Sequence, residues 1–199
     1  MNIPTTGPRA MAALLAFSAA LVAIALTGLA YAQERPAPEE PTATLRVLLQ
    51  VPRHTSDLDE DDEHRMGRLR ELAAAIDAAT PHRHERALLL AQGKHESWWA
   101  SYVHHDLPPC REGHGGRCDG GQSWSPWQLK ITDRRGGGWR AAKIAIDRLR
   151  MHGRRCGHRT LSTEAAVRAA ISGYATGESC SWSEASERAS TWRSILGRL

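Results

Sequence analysis

The 199-residue chain lacks the motifs of several common protein classes. None of its four cysteines forms a Cys-x-x-Cys pair, which argues against a zinc ribbon or a thioredoxin-type site. No Gly-x-Ser-x-Gly motif is present, so a hydrolase-type nucleophilic serine is not predicted. We find no nucleic-acid-binding motif and no basic amphipathic helix. Aromatic usage is also uneven, with one Phe against seven Trp, and tryptophan suits both sugar stacking and a protein core.

The ten histidines do not provide a recognisable metal site. His95-Glu96 begins like the helix of a zinc protease, but the second histidine of that motif would fall on Trp99. His104, His105 and Asp106 form a short cluster, but no three ligands lie at a spacing that a helix or a turn would bring together. We therefore predict no metal and no other cofactor, and we expect surface histidines.

Hydropathy and charge divide the chain into three segments. Residues 1–32 contain a long apolar run that ends in Ala-Tyr-Ala, as in a cleavable signal peptide, and an uncleaved N-terminal membrane anchor is the alternative. Residues 33–63 hold nine acids against three arginines and several prolines, which predicts an acidic, largely disordered linker. Within it, residues 44–51 fit a short strand or an anchoring segment. Residues 64–199 carry 22 Lys and Arg against 13 Asp and Glu, and predict one basic domain attracted to polyanions.

Apolar residues recur at three- and four-residue spacing in the basic domain, which predicts five helices and no convincing sheet. The second helix starts near Thr80-Pro81 and carries Glu96, and Gly177 ends the fourth. The fold class is therefore mainly α. The apolar positions of the five helices run over 66–76, 88–91, 139–149, 167–174 and 185–196.

The four cysteines predict disulfides rather than ligands. Three pairings are possible, and we predict that Cys110–Cys118 closes a Gly-rich loop and that Cys156–Cys180 ties two late segments together. Because disulfides form in an oxidising compartment, this prediction agrees with export to the periplasm or the outside of the cell.

Glu96 is the first candidate for chemistry. It follows Leu89 and Gln92 at helical spacing, so it shares their inward face, and it lies where the helix meets an aromatic pair. Burial there favours the protonated carboxyl that a general acid needs near neutral pH. The alternative is a solvated glutamate, or one paired with a basic neighbour such as Lys94 or His95.

Three segments form a stronger pattern when taken together. They are Glu96-Ser97 at a helix end, Ser-Trp-Ser-Pro-Trp-Gln over 123–128, and Ala-Ala-Ile-Ser-Gly-Tyr-Ala-Thr-Gly over 169–177. In order and character they resemble the soluble lytic transglycosylase and goose-type lysozyme group of the lysozyme superfamily. Gln128 and Tyr174 match the Gln and Tyr of its later motifs. The chain departs from the family where Ser-Pro-Trp replaces Gly-Leu-Met and where Ala-Thr replaces Asn-Ala.

The resemblance implies a lysozyme-like helical domain. The loop between Glu96 and Gln128 is longer than in the family and carries Cys110 and Cys118, so we expect a long disulfide-closed loop beside the active-site groove. It implies cleavage of the β-1,4 bond between N-acetylmuramic acid and N-acetylglucosamine, with Glu96 as general acid and then base. A lytic transglycosylase uses the 6-hydroxyl of the sugar and gives 1,6-anhydro products without a second carboxylate. A hydrolytic lysozyme, with Asp106 or Asp119 as the second carboxylate, is the alternative, as is a non-catalytic wall-binding module.

The resemblance also implies the substrate contacts. Ser97, Gln128 and Tyr174 would hydrogen-bond the sugar or orient the acid, and Trp99 and Trp127 would stack on sugar rings. Core packing is the alternative for each tryptophan and for Tyr174. The expected partner is the peptidoglycan glycan strand, with no nucleic acid, no membrane unless the N-terminal segment stays uncleaved, and a monomeric state.

Overall fold

The structure is a computed structural model that describes residues 40–54, 60–99, 123–130 and 138–199. This part of the chain is mainly helical, which confirms the predicted class. Residues from Pro41 onward form one compact unit. Its elements are α1 (Ala43–Leu49), α2 (Asp62–Ala79), α3 (Arg83–Ser97), β1 (Ser123–Trp124), β2 (Leu129–Lys130), α4 (Gly138–Arg155), α5 (Glu164–Thr176) and α6 (Ala185–Leu196).

Local capping explains where the predicted helices begin and end. The Asp61 carboxylate accepts from the His64 N–H at 2.8 Å and caps the start of α2. The helix ends at Ala79 because Thr80 precedes Pro81, and the residue before a proline is driven out of helical conformation. The Thr163 hydroxyl caps α5 in the same way. Gly177 ends that helix with φ of +83°, a left-handed conformation that glycine adopts without strain.

Helix α1 corrects the expected linker. It lies inside residues 33–63, where we predicted a largely disordered segment, and it is neither a strand nor exposed. Leu45, Val47 and Leu48 are buried, and α1 packs on α2. A seven-residue helix shows too few repeats for periodicity to separate it from a strand, and its stability comes from this packing.

Helix α3 runs through the centre of the molecule. Six consecutive residues, from Ala87 to Gln92, are each at most 1% exposed. A helix that is buried all round is enclosed by other elements, and α3 packs against α6, α2 and α4. The α4 helix in turn packs on α2 and α5, and α5 on α6. The middle of α3 is therefore enclosed by other helices.

A small hairpin packs on α3. Strands β1 and β2 pair antiparallel, with Trp124 opposite Leu129, and a four-residue turn over 125–128 joins them. Trp127 in the turn and Leu129 after it are both fully buried. The sequence predicted no convincing sheet, and these two strands have only two residues each.

The predicted Cys156–Cys180 disulfide is present, with 5.6 Å between the two Cα atoms. It joins the end of α4 to the segment after α5. Cys110 and Cys118, the loop that they would close and the N-terminal segment 1–32 lie outside the described residues. Among the helices that the structure describes, none is long and apolar enough to cross a membrane.

Candidate functional site

Glu96 lies in the last turn of α3 with its side chain 20% exposed. The Gln92 amide, one turn earlier on the same face, donates from Nε2 to Glu96 Oε1 at 2.7 Å. Gln92 is fully buried, and its Oε1 has no hydrogen-bond partner within the described part of the chain. A buried amide oxygen left unbonded costs about 1–3 kcal/mol of folding free energy. The Gln92 amide thus bonds Glu96 through its nitrogen while its oxygen lowers the stability of the fold.

Arg188 on α6 is the charged partner of Glu96. Its Nη1 donates to the same Oε1 atom, and the Arg188 side chain is only 14% exposed. The guanidinium also lies over the Trp182 ring at 4.9 Å, a cation–π contact that holds it in place. The carboxylate is therefore paired with a basic residue from another helix, and not with Lys94 or His95.

His95 lies beside this pair and bonds to α6. Its Nε2 is 2.9 Å from Thr191 Oγ1. Burial, together with the positive charge of Arg188, lowers the pKa of His95. The neutral form of the His95 imidazole is favoured here, because the nearby Arg188 guanidinium would repel a second cation.

The chain turns sharply after Glu96. Trp98 and Trp99 both have left-handed backbone, with φ of 52° and 59°. Ser97 is buried, accepts from the Trp99 N–H at 3.2 Å and donates to the Gly93 carbonyl at 3.0 Å. Its hydroxyl therefore shapes the corner, and the expected contact between Ser97 and substrate finds no support here.

Trp99 and Trp127 both lie in the core. They are 3% and 0% exposed, and their rings meet edge to face with centroids 5.8 Å apart. Trp99 fits against α3 because position 93 is glycine, where an added Cβ would come within 2.1 Å of the Trp99 ring. Neither ring has a free face, so the expected stacking on sugars is corrected to core packing. Trp98 is half exposed, with Lys94 5.5 Å from its ring.

The hairpin turn is bonded to both motif helices. Trp127 Nε1 donates to the Leu89 carbonyl of α3 at 2.9 Å, and the Tyr174 hydroxyl of α5 donates to the Trp127 carbonyl at 2.6 Å. The turn of the second segment thus contacts the helix that carries Glu96, at Leu89, and the helix of the third segment, at Tyr174. Tyr174 anchors the turn through this bond.

Gln128 follows Trp127 in the turn. Its side chain is half-buried, its N–H donates to the Ser125 carbonyl at 3.0 Å, and both Ser125 and Gln128 have positive φ, 67° and 49°. Together with Trp98 and Trp99, these are all the non-glycine residues with positive φ in the described residues. Backbone strain of this kind costs about 1–3 kcal/mol per residue and gathers at functional sites.

Sequence reasoning missed Arg188, although a signal was present. Arg188 follows Ala185 by three residues and precedes Trp192 by four, so it lies on the buried stripe of α6. A charged residue on an apolar stripe requires an opposite charge, because an unpaired charge in the core is costly. Glu96 at the end of the neighbouring helix meets that requirement.

Asp106, Asp119, His104 and His105 lie outside the described residues. In the ranges that are described, no three His, Cys, Asp or Glu side chains are close enough to hold a metal ion. No protein-family model, curated protein or solved structure matches this chain.

Proposed function

We propose that this chain is an exported peptidoglycan-cleaving enzyme of lysozyme-like fold, a lytic transglycosylase with Glu96 as its general acid and base. The observation that supports the proposal is that the three elements carrying the motifs pack against one another. Trp127 bonds α3 through the Leu89 carbonyl, and Tyr174 bonds the Trp127 carbonyl, so the helix of Glu96, the turn of Gln128 and α5 form one unit. The Cys156–Cys180 disulfide supports export to an oxidising compartment.

The hydrogen bonds of Glu96 suggest which oxygen does the chemistry. Gln92 and Arg188 both bind Oε1, and no described residue bonds Oε2. In the proposed reaction, Oε2 carries the proton to the departing glycosidic oxygen while positive charge develops on the sugar. The carboxylate left behind is stabilised by Arg188. Oε2 then takes the proton of the 6-hydroxyl, whose oxygen bonds to C1 and closes the 1,6-anhydro ring.

A non-catalytic wall-binding module is the second candidate, and the Glu96–Arg188 ion pair favours it. Two largely buried charges that neutralise each other also form an ordinary structural pair. In that case the basic surface binds the wall polymer and Glu96 only joins α3 to α6. A hydrolytic lysozyme is a third candidate, which needs a second carboxylate such as Asp106 or Asp119.

Digestion of purified peptidoglycan, with products read by mass spectrometry, separates these functions. The parent protein is expected to release 1,6-anhydro muropeptides, and Glu96→Gln to lose activity by about 10²–10⁴-fold, the contribution of general acid–base catalysis. Glu63→Gln removes the same charge from an exposed position on α2 and serves as the matched control. Reducing-end products would identify a lysozyme. Wall binding without products, or equal activity of Glu96→Gln, would reject Glu96 as the catalytic acid.

A further inference from the structure

A second candidate site lies at the other end of α3. A cavity of about 420 Å³ opens between the first turn of α3, the end of α4 and the loop over 158–162. Helix geometry puts Glu85, in that first turn, about 16 Å along the axis from Glu96, so the two sites are distinct. The volume of the cavity falls within the usual range for small-molecule pockets. The basic side chains that line it are His82, His84, Arg150, Arg154, His158 and Arg159.

The side chains that line the cavity carry more positive than negative charge. Glu85 is its one acidic lining residue, and Arg150 holds it through two bonds, Nε to Oε1 at 2.8 Å and Nη2 to Oε2 at 2.6 Å. Burial opposes ionisation of Glu85, but the bonds from Arg150 and Thr80 outweigh it and lower its pKa. Neither Arg154 nor Arg159 has an acidic partner in the described part of the chain. Arg150 also donates to Asp147 of its own helix at 3.1 Å, so it is already neutralised. With the histidines counted as neutral, Arg154 and Arg159 leave an excess of two positive charges.

The loop over 158–162 is held against α4 in the free protein. Leu161 is buried against Gly153 of α4, where an added Cβ would come within 2.8 Å of the leucine side chain. The His158 N–H donates to the Gly153 carbonyl at 2.9 Å. Thr160 and Ser162 hydroxyls, 3.0 Å apart, also line the space. A loop that is already fixed loses less entropy when it binds a ligand.

We propose that this cavity binds the dianionic phosphate group of a small molecule. The excess of two positive charges matches a phosphate monoester or diphosphate better than a singly charged diester. Guanidinium groups present paired N–H donors that fit phosphate oxygens, and Arg154 lies one turn after the fixed Arg150 on the same face of α4. The hydroxyls of Thr160 and Ser162 supply further donors. This site does not depend on the proposed activity of Glu96.

Titration calorimetry at constant ionic strength tests the proposal with inorganic phosphate, pyrophosphate and dimethyl phosphate. We expect pyrophosphate to bind and dimethyl phosphate, a monoanion, to bind at least tenfold more weakly. The double variant Arg154→Ala/Arg159→Ala should raise the Kd for pyrophosphate at least tenfold, because each charge-assisted bond contributes about 1.5–3 kcal/mol.

The matched control is Arg46→Ala/Arg70→Ala, which removes two exposed arginines from α1 and α2. It should change the Kd less than about twofold, since distant exposed charges are screened by salt. Circular dichroism verifies the fold of both variants. No binding of pyrophosphate by the parent, equal weakening in both double variants, or equal affinity for dimethyl phosphate would overturn the proposal.

Discussion

The Glu96–Arg188 pair should couple α3 to α6 strongly, and a double-mutant cycle measures that coupling. The variants are Glu96→Gln, Arg188→Met and the two together. The Glu96 and Arg188 side chains are 20% and 14% exposed, so water competes weakly for their bond. A hydrogen bond to a charged group contributes about 1.5–3 kcal/mol, and we expect a coupling energy in that range. The contact of Arg188 with Trp182 does not contribute to this coupling energy. Arg188→Met removes that contact whether or not Glu96 is present, so its effect cancels in the cycle.

Urea unfolding followed by tryptophan fluorescence gives the four free energies of the cycle. Lys143 and Asp147, paired one turn apart on α4 with side chains 44% and 48% exposed, form the matched control. Their coupling should stay near 0.3–0.5 kcal/mol, as is usual for exposed helical pairs. A Glu96–Arg188 coupling no larger than this value would refute the argument that burial strengthens the pair.

Three further changes test the packing and the titration of this region. Gly93→Ala should destabilise the protein by about 1–3 kcal/mol in spite of its better helix propensity, because the new Cβ meets Trp99; unchanged urea midpoints would contradict it. Tyr174→Phe should lower the free energy of unfolding by about 1–2 kcal/mol, because it removes the hydrogen bond to the Trp127 carbonyl. A decrease below about 0.3 kcal/mol would show that this bond does not stabilise the turn. Burial and then nearby arginines lower the pKa of His152, so its contribution to stability is complete above the unfolded value of 6.5 and is lost as pH falls toward the folded pKa. His152→Gln should therefore lose less stability than the parent between pH 7 and 5, and identical slopes would disprove the assignment.

The helices were predictable because their signals are local. Apolar spacing, Pro81 and Gly177 gave α2 to α6 with limits close to those observed. The short α1 was not predictable, since seven residues carry little periodicity and its burial depends on α2. Local patterns thus predicted the type of the long elements, and packing decided α1, which has no strong pattern of its own.

The candidate site was only partly predictable. Glu96 and its neighbour Gln92 share a face by helical spacing, and the structure agrees. The partner of Glu96 is Arg188, 92 residues later in the chain, and no local pattern connects the two. The tryptophans show the same limit: composition suggests sugar stacking or core equally, and only the tertiary fold shows that Trp99 and Trp127 have no exposed face.

The Cys156–Cys180 bridge acts on the chain even when it is unfolded. It closes a ring across 24 residues, and the chain-entropy relation gives about 3.5 kcal/mol of stabilisation from the conformations that this ring denies to the denatured state. The ring contains both the loop over 158–162 and the helix of Tyr174. These parts of two separate candidate sites therefore stay tethered before native packing exists. Reduction would remove that advantage.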